Sequence, residues 1–283
     1  MSKDAIDMTR RTIVITGSSD GIGAAAARRL SREGANVVVV GRSQSKTTAV
    51  ANEIGADYFV ADFADLAQVR ALADKIKSEY PRIDVLANNA GGMCKQPEIT
   101  ADGLEKTYQV NYLAPFLLTT QLLDVLVDSR ATVVNTTSNS HKLVPRVKVA
   151  DLEHTEGRRP SFAYALTKLA IILFTKELHR RYHERGISTA TFHPGYVNSN
   201  FGEASGSRFL LFMKNNVPVI ARFTASAEQG AEQLVWLASS TPGTDWRPGE
   251  YYAKHKVAKA NRRAYDPKLA AELWERTAAK VAI

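Results

Sequence analysis

The sequence predicts an α/β fold: one doubly wound domain whose mostly parallel sheet carries helices on both faces. Three observations lead there. Short β-branched runs alternate with longer helical stretches along the chain, the pattern of repeated strand–helix–strand units. The first run, Thr12-Ile13-Val14-Ile15, leads straight into a glycine-rich loop, Thr16-Gly17-Ser18-Ser19-Asp20-Gly21-Ile22-Gly23, which opens a helical stretch. The chain has 283 residues, 45% hydrophobic and 23% charged, which suits one large globular domain and excludes disorder. No internal repeat or low-complexity linker divides it, so a single domain is expected over 1–283, with a polar tail at 1–10.

Each element has a local reason. Residues 21–33 place Ile22, Ala26 and Leu30 on one helical stripe. Val37-Val38-Val39-Val40 reads as the second strand and Tyr58-Phe59-Val60 as the third, each after a helical stretch. Ile83-Asp84-Val85-Leu86-Ala87 reads as the fourth and runs into Asn88-Asn89-Ala90-Gly91. A long helix is predicted over 103–127, bent at Pro115, which has no N–H to donate. Ala131-Thr132-Val133-Val134-Asn135 is a fifth strand, 161–185 a helix, and 187–192 a sixth strand. Residues 195–225 break the alternation around an apolar run, Phe209-Leu210-Leu211-Phe212-Met213. A helix at 227–238, a seventh strand near Tyr251-Tyr252 and a terminal helix from Asp266 complete a seven-stranded sheet.

Composition narrows the function classes. Met1 to Arg11 is polar, without the apolar core of a secretory signal, and no run approaches the roughly 18 apolar residues of a membrane span. Cys94 is the only cysteine, so no intramolecular disulfide can form and a cytoplasmic protein is expected. Net charge is +8, much of it in Lys254, His255, Lys256, Lys259, Arg262, Arg263 and Lys268. No nucleic-acid module accompanies this charge, which reads as a solvated surface around a site for a polyanionic cofactor. Contact with an anionic lipid surface, through the apolar run beside Arg208, Lys214 and Arg222, is a weaker alternative. His141 and His193 lack metal-ligand spacing, so both are expected to be structural or pocket-lining, and no metal is expected.

Chemistry concentrates in Tyr164-Ala165-Leu166-Thr167-Lys168. Residues four apart share a helical face, so the ammonium can reach the space beside the phenol. A free tyrosine titrates near ~10; a neighbouring cation favours phenolate and lowers that value. Upstream, Gly17, Gly21 and Gly23 sit between a strand and a helix, where glycine lets backbone approach a pyrophosphate and the helix start supplies N–H groups.

These motifs, taken in order, resemble the short-chain dehydrogenase/reductase family, a Rossmann-type fold, over nearly the whole chain. The residues that carry this are Thr16-Gly-x-x-x-Gly-Ile-Gly23, Asp62, Asn88-Asn-Ala-Gly91, Asn111, Ser138, Tyr164-x-x-x-Lys168 and Pro194-Gly195. Within the family the chain is similar to the retinol dehydrogenase and WW-domain oxidoreductase branch. That similarity lies in Asn88-Asn-Ala-Gly-Gly-Met-Cys94, Thr100-Ala-Asp-Gly-Leu-Glu105, the run Leu169 to Leu178, and Gly249-Glu-Tyr-Tyr252.

The resemblance implies an oxidoreductase that moves a hydride between a nicotinamide and a carbonyl or hydroxyl carbon. Tyr164 would exchange the proton, Lys168 would activate it and hold the nicotinamide ribose, and Ser138 would hydrogen-bond the substrate oxygen. Asn111 would hold a relay water, or else merely bond backbone. Neighbouring hydroxyls in Thr136-Thr137-Ser138-Asn139-Ser140 leave the identity of the functional one open. For the cofactor, the resemblance implies Gly17, Ser19, Asp20, Gly21, Ile22 and Gly23 in the loop, Asp62 and Phe63 at the adenine, Asn88, Ala90 and Gly91 beside the ribose, and Pro194, Gly195, Val197 and Ser199 toward the carboxamide. Asp62 could equally cap a helix.

Gly41 stands where NAD-preferring members carry an acid, and Arg42 and Ser43 follow, so NADP(H) is expected over NAD(H). Asp20 departs from that pattern, because an anion there would weaken a phosphate preference. Residues 195–225 would form a substrate lid, with Phe201 and Phe209 covering a pocket walled by Met93, Ser140 and Leu143. An apolar ketone, aldehyde or alcohol is then the expected substrate, although core packing explains the same side chains. A homo-oligomer is open. A cofactor-binding regulator without turnover is the alternative, and an incomplete Ser–Tyr–Lys set would have favoured it.

Overall fold

The computed structural model describes residues 7–153, 155–195 and 225–282. Its sheet has strands β1 (Thr12–Thr16), β2 (Asn36–Gly41), β3 (Asp57–Val60), β4 (Val85–Asn88), β5 (Thr132–Thr136), β6 (Ser188–Phe192), β7 (Glu250–Ala253) and β8 (Lys256–Val257). The spatial order is β3-β2-β1-β4-β5-β6-β7-β8. Every pairing is parallel except β7 with β8. The sheet thus has eight strands where the sequence pattern gives seven. The extra one is a two-residue Lys-Val return from β7, too short to show any periodicity.

Among the described residues the α-helices are α1 (Gly21–Arg32), α2 (Gln44–Ile54), α3 (Leu66–Glu79), α4 (Lys106–Tyr108), α5 (Ala114–Gln121), α6 (Leu123–Asp128), α7 (Val149–Glu153), α8 (Pro160–Tyr182), α9 (Ala227–Ser239) and α10 (Pro267–Lys280). The long helix expected at 103–127 is therefore divided. Pro115 cannot donate to the Asn111 carbonyl four residues earlier, so the α-helical register fails there. The chain takes a π turn over Gln109–Leu113 instead, with Ala114 N–H reaching back to the Gln109 carbonyl.

Side-chain alternation along the strands feeds two apolar layers. Val14, Val38, Val40, Leu86 and Val133 face a layer built with α3, α5, α8 and α10, where Phe116, Phe174 and Trp274 pack ring on ring. Ile13, Ile15, Val37, Val39, Val85 and Val134 face the other layer, with α1, α2 and α9. Period-two burial on both faces is what a doubly wound sheet demands. It leaves the C-terminal strand ends as the place where loops converge, and the strand order reverses between β1 and β4, where a crevice opens. Among the described residues no helix is long and apolar enough to cross a membrane.

Candidate active site

Three strand ends meet at the crevice. From β1, Gly17 takes φ +66°, and a Cβ there would come within 2.7 Å of the Ala90 Cα. A Cβ on Gly23 would run into the Gly17 carbonyl oxygen. Glycine is required at both positions because backbone lies against backbone. Thr16 ties the loop to β4: its Oγ1 accepts from Asn89 N–H and Ala90 N–H, both at 3.0 Å. Asn89 Nδ2 donates back to the Thr16 carbonyl at 3.1 Å. Asp20 caps α1, accepting from Gly21 N–H at 2.8 Å. The cradle this makes is backbone, free of bulk, at the start of a helix whose first N–H groups have no helical acceptor. Those features fit a pyrophosphate.

Around the cradle the expected cofactor residues divide. Ala90 lies against Gly17, Gly91 passes beside Asn111 and Lys168, and Gly195 has φ +90° with none of the described residues within 4 Å of where a Cβ would point. The Asn88 side chain turns inward: its Nδ2 donates to Thr119 Oγ1 and Asn135 Oδ1, both at 2.9 Å, which leaves its backbone as the part that could meet a ribose. Asn89, half-buried, instead straps the glycine loop through the Thr16 carbonyl and accepts from Thr136, a division of labour that the Asn-Asn repeat conceals. Asp62 does not cap a helix: Asp65 caps α3, while Asp62 Oδ1 accepts from Ala64 N–H at 2.9 Å in its own turn. Phe63 is buried, leaving only its backbone to face outward. Val197, Ser199, Phe201 and Phe209 lie outside the described residues, as does most of 195–225.

At the end of β5 the hydroxyl cluster sorts itself. Thr137 is buried and donates to the Lys168 carbonyl at 2.7 Å. Thr136 Oγ1 donates to Asn89 Oδ1 at 3.2 Å. Ser140 Oγ is buried without a partner among the described residues. Ser138 is the hydroxyl of this cluster whose hydrogen bond pulls against the upward shift of the Tyr164 phenol. The Ser138 backbone is in turn held by His141, whose Nδ1–H donates to its carbonyl at 2.5 Å. Burial holds that imidazole neutral, down to about 4, and its ring edge packs on Tyr251. Met93 is half-buried, whereas Leu143 has 76% of its surface exposed.

Tyr164 and Lys168 both project from α8 into the site. Lys168 Nζ donates to the Thr136 carbonyl at 3.0 Å and lies 5.4 Å from the centre of the Tyr164 ring. Burial dominates both groups. It pushes the phenol up to about 12, against the pull of the Ser138 hydroxyl, and pushes the ammonium down to about 8. Simple i,i+4 spacing makes the lysine the phenol's acidifying neighbour; in the fold, desolvation is the larger influence.

Asn111 sits in the π turn with its side chain fully engaged. Its Oδ1 accepts from Gly92 N–H and its Nδ2 donates to the Gly92 carbonyl, both at 2.8 Å, and Nδ2 also donates to Thr167 Oγ1 at 3.2 Å. Gly91 passes so close that a Cβ would stand 2.9 Å from Asn111 Oδ1. The Asn111 side chain is thus a clamp joining the Gly91-Gly92 loop to α8.

Comparison with known proteins agrees with this architecture. The family model "short chain dehydrogenase" matches residues 11–208, and the chain belongs to the short-chain dehydrogenase family. A Streptomyces protein provisionally named daunorubicin C-13 ketoreductase DnrU is 38% identical over 96% of this chain and 92% of its own. Retinol dehydrogenase 12 of Mus musculus is 34% identical over 95% of this chain and 85% of its own. An uncharacterised Mycobacterium paratuberculosis protein has a crystal structure matching at TM-score 0.76 and 31% identity, over 99% of this chain and 96% of that one. A Beutenbergia cavernae structure, described as an NAD(P)-dependent gluconate 5-dehydrogenase with bound NADP, matches at TM-score 0.67 and 27% identity, over 82% of this chain and 91% of that one.

Proposed function

We propose that this chain is an NADP(H)-dependent carbonyl reductase or alcohol dehydrogenase acting on an apolar ketone, aldehyde or alcohol. One observation carries the reading: Ser138, Tyr164, Lys168 and Asn111 arrive from three separate elements at the mouth of a glycine cradle fitted to a dinucleotide. A bound nicotinamide would supply or accept the hydride. Gly17, Gly21 and Gly23 would admit its pyrophosphate, Arg42 and Ser43 the 2′-phosphate, and Lys168 the ribose.

The protein's own part is proton handling and orientation. Ser138 donates to the substrate oxygen, its backbone held in place by His141. Tyr164 is a neutral phenol at pH 7, so it is a proton donor by default and suits the reductive direction. As that proton passes to the substrate oxygen, negative charge builds on the phenol oxygen and the Lys168 ammonium stabilises the phenolate. With the Asn111 side chain engaged, any water it contributes to a relay hangs on its carbonyl, which Pro115 deprives of an α-helical donor. The family, and relatives named for a ketone substrate and for retinol, support a carbonyl or alcohol substrate of apolar character.

The test is NADPH consumption across apolar aldehydes, ketones and retinoids. Tyr164→Phe should lower turnover roughly 10²–10⁴-fold while still binding cofactor. Cofactor binding with no oxidation by any carbonyl, or a Phe variant as active as the parent, would overturn the proposal.

A further inference from the structure

Asp20 is the feature that fits least well with a phosphate-bearing cofactor, and the structure supplies its counterweight. β2 ends at Gly41, packed against the glycine loop: Ser18 N–H donates to the Val40 carbonyl at 3.1 Å and Val40 N–H to Ser18 Oγ at 3.0 Å. A Cβ on Gly41 would meet Thr47 Oγ1 and come within 2.8 Å of Ser19 Cβ. Thr47 cannot yield, because it is buried and donates to the Ser43 carbonyl at 2.6 Å. No acidic side chain fits at this strand end. The corner is enclosed by Ser19 and Asp20 from the loop, Arg42 and Ser43 after β2, and the first turn of α2.

From that turn Lys46 reaches across to Asp20, its Nζ 2.8 Å from Oδ2. Asp20 Oδ1 meanwhile accepts from Gly21 N–H. The carboxylate is therefore engaged on both oxygens, by Lys46 and by Gly21 N–H, while Arg42, the residue after the end of β2, is exposed. The Lys46 side chain is 58% exposed, and an exposed pair of this kind adds little stability, so the fold itself gains little from the pairing.

Resting on the NADP(H) reading above, we infer that Lys46 is a specificity-determining residue, which cancels the Asp20 charge and turns the corner from phosphate-repelling to phosphate-accepting. Asp20 is retained as the cap of α1, and Lys46 removes its electrostatic cost to the 2′-phosphate.

The test is calorimetric titration of the full chain with 2′,5′-ADP and with 5′-AMP, which differ only in the 2′-phosphate and need no turnover. Lys46→Met should weaken 2′,5′-ADP about tenfold and 5′-AMP less than about twofold, since a like charge is left facing the phosphate. Asp20→Asn keeps a cap and should tighten 2′,5′-ADP severalfold; in the double variant the loss from Lys46→Met should shrink. Thermal unfolding of each variant should match the parent. If Lys46→Met weakens both nucleotides equally or neither, while Arg42→Ala still abolishes discrimination, the inference fails and the NADP(H) reading stands. If the parent itself does not distinguish the two nucleotides, it is the NADP(H) reading that fails.

Discussion

Lys168 is 4% exposed, and burial moves its ammonium from 10.5 down to about 8. That shift corresponds to about 3 kcal/mol of folding free energy set against the protein at pH 7, where the lysine is charged both folded and unfolded. Replacing it with methionine keeps the aliphatic volume and removes the charge. The loss is the Nζ–H bond to the Thr136 carbonyl at 3.0 Å, worth about 1–2 kcal/mol with the carbonyl left unpaired. Lys168→Met should therefore be more stable than the parent by about 1–2 kcal/mol at pH 7, a rise in Tm of about 2–8 °C, while losing turnover. The sign follows the titration. Because the folded pKa is depressed, the unfolded chain holds more protons between pH 8 and 10.5, and the parent gains stability as pH rises through that window. Above it the advantage of methionine is gone and only the lost hydrogen bond remains. Guanidinium unfolding of cofactor-free protein at pH 7 and pH 10.5 reads both limits. A variant less stable than the parent at pH 7, by the same margin as at pH 10.5, would show that the buried ammonium carries no desolvation cost.

Two further predictions rest on the same geometry. Asn111→Ala removes three hydrogen bonds, two of them closing on Gly92, and should cost roughly 2–4 kcal/mol in denaturant unfolding as well as lowering kcat; a loss of rate with unchanged stability would mean the side chain is not a clamp. His141, 0% exposed, titrates near 6.5 unfolded and about 4 folded, so it contributes roughly 3 kcal/mol above pH 6.5 that is lost as pH falls toward 4. His141→Phe should flatten the stability-versus-pH curve over that interval, and an unchanged slope would refute the assignment.

Much of this molecule is legible without coordinates because its signals are local. Strand periodicity, the glycines between β1 and α1, and Tyr164 four residues before Lys168 each need only a short stretch of chain to specify a conformation. Those segments determine the doubly wound sheet and bring forward the side chains proposed to carry the chemistry. The non-local choices are not legible in this way. Asn88 and Asn89 are identical in type, and only the register of β4 against β5 decides that one bonds Asn135 within the core while the other straps the glycine loop. Ser138 is separated from its hydroxyl neighbours by how β5 meets α8. The Lys46–Asp20 pair joins residues 26 apart in sequence, and the His141 that bonds the Ser138 carbonyl is itself packed on Tyr251 from a distant strand. Sequence patterns state which groups a segment can offer; which of them are left free for chemistry depends on partners that packing alone brings within reach.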